Sequence, residues 1–329
     1  MWRGGVIKRQ TPLITTTPYV YEAFLQVSEL FESEDRRQRT EDGGQRTGGR
    51  EQSTEDRGQR TEHRGQRTED GDERSLNLRD DYTQILRSVA RHAMRDIKDF
   101  PVSRSASSCS YSPSAEGHVI NASAYRAFLL TSASQLFDNR EYWHRAERNL
   151  NFVLEQQNAD GSWFYAADGV RDFIDHYHTC FVMKALAKIE RLTDDAGCGE
   201  ALERGVSYYL ANLFDETGLP KPFAKAPRLT VYRRELYDYA ECINLCLLLK
   251  DRFPALGAKL QIVLDDVLTR WIKTDGSFRS RQLRFGWDNV PMHRWGQSQM
   301  FRALAFFLSE MLKAEKLNAE TLRPEMVKS

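Results

Sequence analysis

Residues 158–180, NADGSWFYAADGVRDFIDHYHTC, connect one predicted helix to the next and carry the densest polar chemistry of the chain. Residues 160–163 (DGSW) predict a tight turn, because glycine accepts a positive φ and aspartate hydrogen-bonds to the backbone that follows it. The turn recurs at residues 275–278 (DGSF), and a looser version occupies residues 215–220 (DETGLP). A turn that recurs along a chain indicates a repeat architecture.

Two kinds of predicted helix alternate along the chain. Helices of the first kind carry one apolar stripe, at the helical spacing of three and four residues. Their stripes fall within residues 82–97, 142–154, 202–213 and 256–271. Helices of the second kind are apolar nearly all round, which predicts burial on every side. They cover residues 19–27, 125–136, 181–189, 239–249 and 300–308.

This alternation, at a repeat of roughly 55–60 residues, predicts an inner ring of buried helices covered by an outer ring of amphipathic helices. We therefore expect an all-α fold, an α/α toroid of helical hairpins that forms a single domain over residues 1–329. Four complete hairpins and a fifth inner helix can be counted, and an incomplete ring at the N-terminus is part of this expectation. An α-solenoid is the alternative, but its repeats are usually shorter and its polar face lines an open groove.

A charged, low-complexity segment interrupts the predicted domain at about residues 33–74. Its degenerate Arg-Gly-Gln-Arg-Thr-Glu-Asp unit places a threonine at every seventh position, namely Thr40, Thr47, Thr54, Thr61 and Thr68. No position of the unit is apolar, so a coiled coil would have no seam to bury. The composition predicts a disordered insert in the loop that follows a first helix, which we expect to end near Phe31.

Charge and cysteine content limit the classes of function. The 329 residues include 47 Lys plus Arg and 47 Asp plus Glu, so no net field would attract nucleic acid or an anionic membrane. Five cysteines without framework spacing, and no apolar leader behind Met1, predict a cytoplasmic protein. The longest apolar runs are shorter than the roughly 20 residues that span a bilayer, so no membrane insertion is expected. The sequence leaves the oligomeric state open.

Residues 156–163 (QQNADGSW) resemble the Gln…Asp-Gly-Ser-Trp repeat of terpenoid cyclases and protein prenyltransferases, and the helical layout resembles that of six-hairpin glycosidases. A closer resemblance is to the C-terminal toroid of glucuronyl C5-epimerases and to related bacterial proteins of polysaccharide gene clusters. That resemblance is carried by residues 16–24, 121–125, 175–179 and 232–239. It implies an α/α toroid that handles a glycan, and it transfers no catalytic motif onto this chain.

The cyclase and prenyltransferase chemistries need motifs that are incomplete here. Protonating cyclases use Asp-x-Asp-Asp, whereas the adjacent pair at residues 265–266 has Val263 at the position of the first aspartate. Prenyltransferases bind zinc through Asp, Cys and His, and Asp175, His178 and Cys180 imitate that set only locally. We therefore expect neither a metal nor a cofactor.

In a toroid, the loops that enter the inner helices open at one end of the ring, so their residues converge in space. The candidate acid–base residues there are Asp175, His176, His178, Glu235, Asp238, Asp288 and His293. The candidate substrate-binding residues are Tyr21, Asn121, Tyr125, Tyr232, Arg233, Arg234, Trp287, Arg294 and Trp295. Carboxylates and imidazoles suit proton transfer, arginines suit an anionic sugar, and aromatic rings provide apolar faces with polar edges.

Each candidate also has a structural interpretation, with Asp175 as a helix cap and the imidazoles as loop anchors. Because His176 and His178 stand two positions apart, we expect one to face the cavity and the other to anchor the loop. The sequence predicts a glycan-processing enzyme or a glycan-biosynthesis protein that acts on a polysaccharide, with a uronic polysaccharide among the candidates. If the protein is catalytic, we expect a hydrolase, lyase or epimerase. The alternatives are a non-catalytic carbohydrate-binding or assembly protein and a prenyltransferase-like enzyme.

Overall fold

The computed structural model describes residues 13–45 and 80–326. Within these ranges the fold is mainly helical. The helices are α1 (Thr17–Gln45), α2 (80–95), α3 (Ile120–Phe137), α4 (Arg140–Glu155), α5 (His176–Thr193), α6 (Ala196–Asn212), α7 (Leu236–Leu249), α8 (Pro254–Asp266) and α9 (Ser298–Met326). Wider π-helical turns extend α8 over Val267–Trp271 and precede α9 over His293–Gln297.

The odd-numbered helices form the inner ring, with α3 between α1 and α5, and α7 between α5 and α9. The outer helices α4, α6 and α8 each pack against the inner helix that precedes them. Glu22 of α1 forms ion pairs with Lys188 of α5 and Arg302 of α9, which ties the first and last inner helices together. This arrangement confirms the predicted α/α toroid.

The burial pattern explains why the helices sort into two rings. In α3, every residue from 120 to 133 is buried, as expected for a helix covered on all sides. In α4, by contrast, burial is confined to a stripe. That stripe consists of Tyr142, Ala146, Asn149, Leu150, Phe152 and Val153. The remaining positions of α4 are exposed or partly exposed, so the amphipathic helix lies on the outside.

Two boundaries differ from the sequence expectation. Helix α1 continues past Phe31 to Gln45, because the Glu, Arg and Gln residues that follow Phe31 are good helix formers. The rest of the expected insert, residues 46–74, lies outside the described residues. Helix α9 was expected to be buried all round, yet Phe301 is 72% exposed and Leu308 is 57% exposed. Within residues 13–45 and 80–326, no outer helix covers that side of α9.

Short antiparallel strands brace the loops that enter the inner helices. The strands are β1 (Asp99–Pro101), β2 (Ser107–Cys109), β3 (Ile174–Asp175), β4 (Phe223–Lys225), β5 (Tyr232–Glu235), β6 (Arg281–Leu283) and β7 (Trp287–Asp288). β1 pairs with β2, β3 with β4, and β5, β6 and β7 form one sheet. Because β3 runs into α5 and β5 runs into α7, each entry loop is held against the loop of the next repeat.

The recurring turn uses an aspartate side chain in the same way at its three positions. In each turn, Oδ1 of the first aspartate accepts a hydrogen bond from a backbone N–H two residues later. The pairs are Asp160 with Ser162 (3.0 Å), Asp215 with Thr217 (2.9 Å) and Asp275 with Ser277 (3.0 Å). The glycines Gly161, Gly218 and Gly276 have φ values of 91°, 80° and 80°. The glycine follows the aspartate directly in the first and third turns and stands three residues after it in the second, so the three turns share the aspartate contact and a glycine of positive φ but not one spacing.

No helix in the described ranges combines the length and the apolar character that a membrane crossing requires.

Candidate active site at the mouth of the ring

The candidate site lies where β3 and β5 enter α5 and α7, an end of the ring that we call the mouth. Asp175 is the N-cap of α5, and its Oδ1 accepts a hydrogen bond from the backbone N–H of His178 at 3.1 Å. Its Oδ2 lies 2.6 Å from Nδ1 of His178. A ring N–H at Nδ1 donates to this carboxylate, which leaves Nε2 of His178 as a proton acceptor.

Asp238, in the first turn of α7, is the buried carboxyl of the mouth. It is 1% exposed, and among the described residues neither of its carboxyl oxygens has a hydrogen-bond partner. Burial raises the pKa of Asp238 well above its usual range, and the charges of Glu235 and Asp175 raise it further. The backbone N–H of Tyr177 opposes this shift without forming a hydrogen bond of normal geometry. Its surroundings therefore favour the protonated form of Asp238 more than water does.

Glu235, the third carboxylate of the mouth, is ion-paired. The β5–β6 register places Glu235 opposite Arg281, whose Nη2 and Nε donate to Oε1 at 2.7 and 3.0 Å. The Arg281 guanidinium also lies over the ring of Tyr232, 5.1 Å from its centroid. Three carboxyl groups thus meet at the mouth in three states: one beside an imidazole, one beside a guanidinium and one unpaired.

Aromatic rings surround these carboxyl groups. The ring of Tyr237 lies 4.9 Å from that of Tyr177 and 5.8 Å from that of Trp295, measured between centroids. Tyr165 packs edge-on against His178 at 4.6 Å. Rings of this kind offer flat apolar faces with polar edges, which suits a sugar with alternating C–H and hydroxyl surfaces.

A water-sized cavity lies beside the Asp175–His178 pair, and Asn121 and Tyr165 also line it. Asn121 is buried, and both polar atoms of its amide lack a hydrogen-bond partner among the described residues. Buried amides are normally satisfied by protein or by ordered water. The cavity is therefore suited to one water molecule held between Asn121 and the pair.

Deeper in the ring, charged side chains fill the centre. Lys184 of α5 forms a buried ion pair with Glu241 of α7, next to the hydroxyl contact of 2.7 Å between Tyr19 and Tyr125. The sequence prediction missed Lys184 and Glu241. The signal was a single charged residue inside an apolar helix, since a lysine or glutamate is almost never fully buried unless it is paired.

Two predicted site residues are fully buried in the core. His176 is fully buried, with Nε2 2.7 Å from the hydroxyl of Tyr209 and Nδ1 3.1 Å from the carbonyl oxygen of Lys221. Tyr21 is also fully buried, in the apolar cluster formed with residues of α2 and α3. Because both side chains are buried, direct substrate contact does not fit either position. The sequence pattern placed both residues at inner helices, but it does not fix which way their side chains point.

The remaining candidates are dispersed. Arg234 forms an ion pair with Asp215, and with Arg233 it lines a groove outside the mouth. Trp287 packs edge-on against Trp271 at 5.1 Å, so it does not lie free for a ligand. Oδ1 of Asp288 accepts a hydrogen bond from the backbone N–H of Val290, which is a turn contact. His293 is exposed, and the side chain of Arg294 lies outside the described residues.

In the part of the chain that the structure describes, no group of three or more His, Cys, Asp or Glu side chains is placed to hold a metal ion. Cys180 is buried and its Sγ donates to the hydroxyl of Tyr209 at 3.5 Å. Cys242 and Cys246 are also buried, with their Sγ atoms 3.9 Å apart on α7. These thiols belong to the packed core and not to the mouth.

Comparison with known proteins gives structural matches. No protein-family model and no curated protein sequence matches the chain. A possible member of the GH105 family from Salmonella enterica serovar Paratyphi A aligns with a TM-score of 0.54 and 16% identity, over 70% of this chain and 66% of that one. The chain has an α/α-toroid fold.

Two further solved structures are similar. A variant of UGL, described with dGlcA-Glc-Rha-Glc, aligns with a TM-score of 0.54 and 15% identity, over 68% of each chain. The GH76 α-mannanase of Bacteroides thetaiotaomicron aligns with a TM-score of 0.50 and 13% identity, over 61% of this chain and 59% of that one. This chain therefore spans about three fifths of the mannanase and just under two thirds of the GH105 protein. At these identities the likeness shows the fold alone.

Proposed function

We propose that the chain processes a glycan by acid–base chemistry at the mouth of the ring. One observation carries the proposal: Asp238 is a buried carboxyl whose pKa is raised, and it lies beside two other carboxylates. Carboxyl pairs in different environments are the usual means by which glycosidases supply an acid and a base. The similar structures support this class, since they include a mannanase and a UGL described with an oligosaccharide.

Each polar residue of the mouth has a role in this proposal. Asp238 donates its proton to the oxygen or carbon that gains negative charge as the substrate reacts. Nε2 of His178 accepts a proton from water or from the sugar, and Asp175 stabilises the imidazolium that results. Arg281 is ion-paired with Glu235, and the charge of Glu235 raises the pKa of Asp238. The proton lost by Asp238 is balanced by the one that His178 takes up.

We further place this activity in polysaccharide biosynthesis in the cytoplasm. The reason for the compartment is cysteine usage: all five cysteines are free and buried, as is usual where thiols stay reduced. The reason for the pathway class is the resemblance of residues 175–179 and 232–239 to proteins of polysaccharide gene clusters. An acidic, uronic glycan suits Arg233 and Arg234, because guanidinium groups bind carboxylates.

One observation favours the alternative of a carbohydrate-binding protein without turnover. Asp238 is almost completely buried, and Tyr177 and Tyr237 pack together next to it with their centroids 4.9 Å apart. A catalytic acid has to reach its substrate, so turnover requires that these rings move apart when a sugar binds. For the prenyltransferase alternative, no observation on the described residues plays the part that the burial of Asp238 plays for the binding protein.

The proposal is tested by incubating the protein with neutral and uronic oligosaccharides in deuterated water and analysing the products by mass spectrometry. Hydrolysis cleaves the chain with addition of water, elimination leaves an unsaturated sugar, and epimerisation adds deuterium at carbon. We expect one of these outcomes with an oligosaccharide that binds. Binding without any of the three reactions would establish the carbohydrate-binding alternative instead.

A further inference from the structure

A second, larger cavity lies outside the mouth, between the turn that begins at Asp215 and strand β5. This groove has a volume of about 730 Å³. Its walls come from the loop before β4, from β5 and from the end of the π-helical turn after α8. Ligand sites for drug-sized molecules are typically about 300–1,000 Å³, so the groove has room for several sugar units.

The groove is basic. Four cationic side chains line it, Lys221, Arg233, Arg234 and Arg270, against two acidic ones, Asp215 and Glu216. Asp215 is already engaged by Arg234, and Arg270 pairs with Asp266 outside the groove. Among the described residues, the side chains of Lys221 and Arg233 have no ion-pair partner. The groove therefore presents more positive charge than its own carboxylates neutralise.

Arg234 is held in a fixed orientation at the base of the groove. Its Nη1 donates to Oε1 of Gln282 at 2.7 Å, and its Nη2 is paired with Asp215. Its Nε is buried and, within the described ranges, has no hydrogen-bond partner. A buried N–H that lacks an acceptor is costly, and in native structures it usually marks a place where water or a ligand completes the bonding. The unmet donor lies in a side chain that lines the groove.

One residue, Tyr232, belongs to the groove and also contacts a side chain of the mouth. This residue lines the groove, and the guanidinium of Arg281 lies over its ring. Arg281 in turn forms an ion pair with Glu235 of the mouth. Phe223 gives the groove a second aromatic ring, from the strand that pairs with Asp175. A chain that lies in the groove and passes Tyr232 therefore reaches the carboxyl groups of the mouth.

We propose that the groove is a binding site for the uronate units of an acidic oligosaccharide whose neighbouring unit enters the mouth. The carboxylates of successive sugars would meet Arg233, Lys221 and the Nε of Arg234, because guanidinium and ammonium groups form charge-assisted hydrogen bonds with carboxylates. The rings of Phe223 and Tyr232, which line the groove, would pack against sugar faces. This inference rests on the proposed function for the nature of the ligand. It places recognition of the ligand's negative charge at a site separate from the catalytic groups.

The test is a calorimetric titration of the whole protein with a hexamer of galacturonate, and with a neutral cello-hexamer, at low and high salt. We expect the acidic hexamer to bind more tightly than the neutral one and to weaken as salt rises, because exposed charges are screened. Arg233→Gln and Lys221→Gln should each weaken binding about tenfold, which is the effect of losing one charge-assisted contact. Arg191→Gln, at the far end of α5, serves as the matched control and should bind as the wild type does.

Equal binding of the two hexamers, or unchanged binding in Arg233→Gln and Lys221→Gln, would overturn the inference. A product assay on the wild type, run beside the titrations, separates this result from the proposed function. Groove binding that persists without any turnover by the wild type would refute the proposed catalysis and support the groove. If the wild type shows turnover while Arg233→Gln and Lys221→Gln bind as the wild type does, the proposed catalysis stands and the groove is not the binding site.

Discussion

Nε2 of His176 lies 2.7 Å from the hydroxyl of Tyr209, and both side chains are fully buried. Nδ1 of the same ring contacts the carbonyl oxygen of Lys221, so His176 joins α5 to α6 and to the loop that follows α6. His178, two positions later, has its Nδ1 on the cap residue Asp175 and lies in the wall of a cavity. The two imidazoles of one short segment therefore have different surroundings.

The first prediction concerns these two imidazoles. His176→Ala should lower the free energy of unfolding by about 1–3 kcal/mol, because it leaves the buried Tyr209 hydroxyl without its partner. His178→Gln should abolish turnover and leave Tm nearly unchanged, since its ring is partly exposed and does not join two helices. Thermal unfolding and a product assay on both variants make the comparison. Loss of stability in step with activity in both variants would show that His178 is also an anchor.

The second prediction concerns the repeated turn. An added Cβ at Gly161, where φ is 91°, would lie 2.3 Å from the carbonyl oxygen of Arg204. Gly169, with φ of 70° and open space around it, is the matched control. Gly169→Ala should cost about 1–2 kcal/mol for its left-handed backbone, whereas Gly161→Ala should cost about 3 kcal/mol or more because the backbone must also move. Denaturant unfolding of the two variants measures the difference, and equal costs would contradict the close packing of this turn on α6.

The third prediction concerns the pH dependence of stability. Because burial raises the pKa of Asp238, the native state keeps a proton that the unfolded chain releases above about pH 4. The stabilising effect is complete below that pH and is lost as the pH rises toward the native pKa. Between pH 5 and 7, wild-type stability should therefore fall relative to Asp238→Asn, by up to about 1.4 kcal/mol per pH unit. Parallel curves for the two proteins would mean that Asp238 is ionised in the native state.

The ring was predictable from sequence because burial and periodicity are coupled. Residues of α3 are apolar on all sides and α4 has one stripe, and this difference alone assigns them to different rings. The exposed face of α9 was not predictable, because the apolar character of Phe301 does not reveal whether another helix covers it. The end of α1 was missed for a related reason, since charged residues suit a solvated helix as well as a loop.

The site was less predictable than the ring. The sequence places polar residues at the ends of inner helices, but it does not show which neighbour each will meet. His176 and Tyr21 were grouped with the mouth although their side chains enter the core. Conversely, the sequence did not predict Tyr177 and Tyr237 as site residues. Aromatic residues are common in apolar helices, so their presence near a helix start does not indicate a site. Their grouping depends on the contact between α5 and α7, which no local pattern encodes.

The fourth prediction concerns the repeated heptapeptides. We propose that the domain is a single toroid and that residues 46–74, which lie outside the described residues, add nothing to its core. Their composition offers no apolar surface to bury, and closing a loop of that length costs little extra entropy. A protein that lacks residues 46–74 should have a Tm within a few degrees of the wild type. A large fall in Tm or an insoluble product would show that the segment packs against the ring.

The most direct test of the account is a comparison of Asp238→Asn with the wild type on an oligosaccharide that the wild type converts. Asp172→Asn, an exposed carboxylate paired with Lys225 between β3 and β4, is the matched control. The account predicts that Asp238→Asn loses turnover by about 100-fold or more, which is the usual contribution of a general acid, while it still binds the oligosaccharide and unfolds at the same or a higher temperature. Turnover by Asp238→Asn at the rate of the wild type and of Asp172→Asn would contradict the assignment of Asp238 as the proton donor.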